Sequence, residues 1–137
     1  MSVHDQIHNV ELLTNIFGRF PSFHDAEIVR LTLDRGDQKS GGPSLTAEVH
    51  AFEMTTEIDD KGVFILKNHV LVKLCFREIS SLFIDDFNQQ NVITDLFIES
   101  ANDGGKLNVA FEGIFGADVR FQCDSISIES VTPFMSS

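Results

Sequence analysis

The segment FPSFHDAEIVRLTLD, residues 20–34, marks a change of period in the chain. Upstream of it, Ile7, Val10, Leu13 and Phe17, joined by Leu12 and Ile16, recur every three to four residues, which predicts one amphipathic helix over His4–Phe17. Gly18 stands where a helix C-cap belongs, and Pro21 blocks continuation. Downstream, Val29, Leu31 and Leu33 alternate with Arg30, Thr32 and Asp34, the period of a half-buried strand.

From there the period of two persists. DRGDQKSGGP (34–43) reads as a loop, and SLTAEVHAF (44–52) places Leu45, Ala47, Val49 and Ala51 on one face. EMTTEIDDKG (53–62) reads as a second long connection with its turn at Asp60-Lys61-Gly62. HVLVKLCF aligns Val70, Val72, Leu74 and Phe76. LFIDDF, NVITDLFIE, KLNVAFE, GADVRFQC and SISIESV continue the series, with NDGGK (102–106) a strong hairpin signal. PFMSS reads as a loose tail. No second helical period appears, so parallel βαβ units are not expected. The expected fold is mainly β (α+β): one N-terminal helix packed on a curved antiparallel sheet of about seven or eight strands, curved or folded over as a half-barrel or sandwich. Residues 1–137 form a single domain without repeats, enough to bury roughly two-thirds of the unfolded surface.

Composition narrows function. Twenty-one acidic against ten basic side chains give a net charge of −11. Such a surface repels phosphate backbones and anionic membranes and attracts basic proteins. Thirteen Phe without Trp or Tyr remove two favoured base-stacking side chains. Nucleic acid and membrane are therefore excluded as expected partners. No apolar run approaches the roughly 18 residues of a membrane span, and MSVHDQIHNV lacks the layout of a secretory signal. Cys75 and Cys123, each inside a strand-like run, are expected as reduced thiols in a cytoplasmic protein.

His24-Asp25 is the most chemical-looking pair. Catalysis would need a partner group and a pocket, yet no GxSxG elbow, activated-Cys motif or phosphate-cradling loop occurs. Asp25 or Ser22 bonding the turn after Pro21 is the structural expectation, with His24 packed between Phe20 and Phe23. A metal- or ligand-binding enzyme using His24, Asp25 and His50 is the alternative, and a self-associating β module with an exposed edge strand is another. His4-Asp5 repeats the dipeptide at the expected helix start, where Asp5 meets the helix dipole. His4 and His8 have a metal-compatible spacing but lack a third ligand, and no EF-hand loop is present. No cofactor is expected. Carboxylates cluster at Glu53, Glu57, Asp59 and Asp60, and again at Asp85 and Asp86.

Taken together, the N-terminal helix, FPSFHDAEI leading into VRLTLDR, then LTAEVHAFEM and FNQQNVITDLFIE resemble the immunity protein 50 family of bacterial polymorphic-toxin systems, over about Phe17–Val131. The family's segment often has Trp where this chain has Phe20. The resemblance implies a mainly β, non-enzymatic intracellular antidote whose partner is a cognate toxin domain. Many toxin domains attack nucleic acids and are basic, so the acidic balance suits such a partner. Glu53, Glu57, Asp59, Asp60, Asp85 and Asp86 are then the expected partner-binding residues, with His24 and Asp25 supporting the first strand.

Overall fold

A computed structural model describes residues 3–37, 39, 41–101, 104–114 and 116–134, and of Met54 only the backbone. A 3-10 turn (Val3–Gln6) and helix α1 (Glu11–Phe17) precede eight strands: β1 (Glu27–Asp34), β2 (Ser44–Ile58), β3 (Phe64–Arg77), β4 (Ser80–Asp85), β5 (Ile93–Ser100), β6 (Leu107–Gly113), β7 (Asp118–Cys123) and β8 (Ser125–Pro133). They form two four-stranded antiparallel sheets, ordered β1-β2-β3-β8 and β4-β7-β6-β5. The fold is thus mainly β as expected, and of the arrangements left open it is the folded-over one: the strands divide between two sheets that enclose one core. Phe76 of the first sheet meets Phe111 and Phe121 of the second edge-on, with ring centroids 5.9 and 4.9 Å apart.

The chain changes sheet at two adjacent corners. Between β3 and β4, Glu78 turns at φ 57°, its carboxylate accepting the Gly42 N–H, while Ile79 N–H donates to Pro43 O. Between β7 and β8 a single residue, Asp124, donates its N–H to Arg77 O. Alternation shows which side chains face inward but not which sheet a strand joins, so it does not separate a half-barrel from a sandwich.

The expected helix is broken at its start. Asn9 sits at φ 64°, and His8 before it pairs with Ser127 as a parallel bridge. His8 N–H donates to Ile126 O and Ile128 N–H returns to His8 O, both at 2.9 Å. Asp5 therefore lies in the 3-10 turn rather than at the start of α1. Leu13 and Phe17 reach the core, whereas Leu12 and Ile16 stay exposed because a helix of seven residues presents only one stripe inward. Gly18 caps α1 in the left-handed region, φ 79°, donating to Thr14 O.

The inward faces of β2 and β3 follow the alternation: Leu45, Ala47, Val49 and Ala51 oppose Phe76, Leu74, Val72 and Val70 in register, and all are buried. β1 departs from it. The register shifts between Ile28 and Arg30, a bulge that buries Ile28 and exposes Val29; past it Leu31 and Leu33 stand opposite Ala47 and Leu45 on the expected face, Leu33 exposed near the end of an edge strand. The Glu53–Gly62 connection also proves shorter than expected. β2 continues to Ile58 and β3 begins at Phe64, so residues beyond His50 and Val70 pair only with each other and form a two-stranded arm. Asp59 closes its turn, its Oδ1 accepting the N–H groups of Lys61 and Val63. The expected loose tail is held through Phe134, which donates its N–H to His69 O; Met135–Ser137 lie outside the described residues. Among those described, no helix is long and apolar enough to cross a membrane.

Candidate functional site

FPSFHDAEI is a splice between the two sheets. Asp25 N–H donates to Ile93 O, Ile93 N–H to Ala26 O, Leu96 N–H to Ser22 O, and Glu27 bridges Val92. Reaching these partners puts Phe23 and Asp25 at φ 65° and 64°, left-handed positions that L residues rarely hold. His24 Nδ1–H donates to Thr94 O at 2.9 Å, and its Nε2 lies 3.6 Å from Asp25 Oδ2 at the surface. Ser22 Oγ accepts the His24 N–H. Both side chains of the pair are thus engaged in or beside the splice.

His50 lies elsewhere, on the outer face of the first sheet. Its Nε2 shares a 3.0 Å hydrogen bond with His69 Nδ1, and its ring stacks on Phe134 at 4.1 Å. His24, Asp25 and His50 do not assemble as a metal centre; among the described residues no three His, Cys, Asp or Glu side chains do. His4 and His8 do not converge on a helix face either: His4 stacks on Phe20 at 4.1 Å, and burial lowers its pKa against the opposing charge of Asp5. Cys75 and Cys123 are both buried free thiols, and burial with the nearby Asp124 pushes Cys123 up to about 12, which suppresses its thiolate.

Burial, and then the neighbouring His69, lower the pKa of His50, while Glu27 opposes them. The folded state therefore binds this proton less readily than the unfolded chain. Stability is full above the unfolded imidazole value of ~6.5 and is lost as pH falls through the lower folded value. Urea midpoints at neutral and mildly acidic pH should fall more for the wild type than for His50→Phe, which keeps the stack without the proton. Equal losses would remove His50 from the acid response.

The six carboxylates expected to meet a partner fall into two groups. Glu53, Glu57, Asp59 and Asp60 lie on the β2–β3 arm, and Asp85 and Asp86 at the end of β4. Glu53 is engaged by Lys67 at 3.8 Å and by Asn68 at 2.9 Å, and Asp59 by its own turn. Glu57, Asp60, Asp85 and Asp86 are exposed.

Strand pairing assembles further carboxylates that lie far apart in sequence. Asp85 stands opposite Asp118 on β7, and Glu112 on β6 opposite Asp95 on β5. Arg120 links the two pairs, its Nη2 3.4 Å from Glu112 and its Nε 3.4 Å from Asp118. Asp118 Oδ1 is shut off from water with no hydrogen bond among the described residues, leaving only that ionic contact. The neighbouring row runs Phe83, Arg120, Ala110, Phe97 across the four strands. The NDGGK hairpin was the signal that could have found part of this set, since its register puts Asp95 opposite Glu112; Asp118 and Arg120 had none.

Neither a curated protein nor a solved structure matches the chain. A family model described as immunity protein 50 matches residues 9–134. Those residues run from Asn9, just after the His8 bridge, through the end of β8, so the match takes in both sheets and the splice between them. The chain belongs to the immunity protein 50 family.

Proposed function

We propose that this protein is a cytoplasmic, non-enzymatic antidote that binds a cognate toxin domain and neutralises it by direct contact. Family membership is the observation that carries this function. The net charge of −11 adds the class of target, a basic domain and specifically a nuclease, whose substrate-binding surface an acidic protein imitates. Glu57 and Asp60 on the arm and Asp85 and Asp86 at the end of β4 steer the approach, with Glu53 and Asp59 adding charge from within the arm's own contacts. His24 and Asp25 support the splice at the first strand.

The test is calorimetric titration of this protein into the C-terminal domain of the large protein encoded beside it, at low and high salt. Tight binding that weakens with salt is expected; a folded domain that does not bind overturns the proposal, and salt-independent affinity removes the nuclease. Reversing Asp85 and Asp86 to Lys should slow association about tenfold at low salt, because steering contributes 10–10³-fold to on-rates. Unchanged association by stopped flow would place both residues outside the approach path.

A further inference from the structure

The two sheets present different outer faces. On the first, Arg30, Lys73 and Arg77 offset Glu27, Glu48 and Glu129, with Arg30–Glu48 at 3.5 Å and Arg77–Glu129 at 3.2 Å. On the second, among the described residues, Asp85, Asp95, Glu99, Glu112 and Asp118 share the face with Arg120, already placed between two of them, while Lys106 at the sheet's end is held by Asp124 at 3.0 Å. Phe83 and Phe97 are exposed to 52% and 41% at opposite ends of the row that crosses Ala110, a large apolar area for an unpaired surface. Between them the small Ala110 side chain leaves a hollow of about 570 Å³, lined by Ser81, Phe97, Glu99, Glu112, Arg120 and others. A hollow of that size takes a long side chain with its neighbours.

We infer that the outer face of the β4-β7-β6-β5 sheet is the docking face, and that it receives a basic segment of the toxin domain with one Arg or Lys side chain in the hollow over Ala110. This rests on the proposed antidote function and names the surface that performs it. Charge complementarity selects the occupant. The cation's head lies between Glu99 and Glu112, its stem against Phe97, where an aromatic face adds cation–π attraction. The outer face of the first sheet lacks the charge excess for such a partner. Acidic residues on the arm act at a distance and set the on-rate, whereas this face makes the contact and sets the off-rate.

Two variants separate contact from steering. Glu99→Lys/Glu112→Lys should weaken binding to the adjacent-encoded toxin domain about a hundredfold, mostly through faster dissociation, since like charges across an interface cost several kcal/mol. Phe97→Ala should weaken it about tenfold without changing charge. Glu11→Lys, a single charge reversal on α1, should leave affinity unaltered, and circular dichroism melts confirm that each variant folds. Tight wild-type binding with both face variants within about threefold of it overturns this inference and leaves the antidote function standing. Failure of the wild type to bind overturns the antidote function itself. Independently of the toxin, titration with an oligoarginine peptide should move the backbone amide NMR signals of Phe97, Ala110 and Arg120 first and saturably. Shifts spread evenly over the arm and α1 would sink the assignment of the face.

Discussion

Phe76→Ala should destabilise the protein by about 3–5 kcal/mol, the range for truncating a fully buried Phe. Phe76 is wholly enclosed near the end of β3 and is the ring on which the sheets meet, edge-on to both Phe111 and Phe121. Its removal strands two aromatic contacts on the far sheet as well as leaving a cavity, so the loss should lie toward the upper end. Against a total of ~5–15 kcal/mol for a domain, that is enough to leave a visible unfolded fraction at 37 °C. Phe76→Leu, which keeps much of the volume, should cost clearly less. Urea unfolding measures both. A loss under ~1 kcal/mol for the alanine variant would mean that the sheets do not pack through this ring.

Asn91→Ala is the second large effect, and it acts through polar groups. Asn91 is 3% exposed and stands where the splice, the loop before β5 and the β6–β7 connection meet. Its Oδ1 accepts the N–H groups of Asn88 at 2.8 Å and Ala117 at 3.2 Å, while its Nδ2 donates to Asn88 O at 2.7 Å and Ile28 O at 3.4 Å. Alanine removes every one of these bonds and leaves a small void, so a loss of ~2–4 kcal/mol is expected from stranded groups costing ~1–3 kcal/mol each. Asn91→Asp should not rescue it, because a carboxylate oxygen would then face two carbonyls. Gly116 is needed for the same reason: a Cβ there would lie 2.5 Å from Gln90 O and 2.6 Å from Asn91 Oδ1. Thermal melts in which Asn91→Ala stays within about 1 °C of the wild type would show that the side chain's bonds are replaced by water.

How far these features could be read in advance depended on their range. The inward faces of β2 and β3 were legible because period-two alternation is local and both strands are covered on their inner face. The start of β1 was not, since a bulge at Val29 brings Ile28 inward and leaves no trace in composition, while Leu31 and Leu33 keep the expected face. The acidic run Glu53–Gly62 looked like a loop, yet it is mostly strand because the hairpin supplies its own partner and needs no buried face. His24-Asp25 looked like chemistry because its neighbours in sequence are informative and its partners, Ile93 and Thr94, are nearly seventy positions away. The carboxylates of the second sheet show the same limit. Asp85 and Asp86 drew notice as a doublet, while Asp118 and Glu112 stand singly in the chain and meet only through pairing.

The pairing of His8 with Ser127 sets an order of events for synthesis. Asn9 Nδ2 donates to Ile128 O, a partner 119 positions later, and α1 packs beside β8. At ~5–20 residues per second, about 6–24 s separate the appearance of the two halves of that contact. The β2–β3 hairpin can close early, because its strands are joined by a tight turn; the first helix must wait. Contacts that span nearly the whole chain also belong to slow-folding topologies, in the millisecond-to-second class. Strand β8 is thus the element that locks the first helix in place, and the sandwich closes only once β8 has been made.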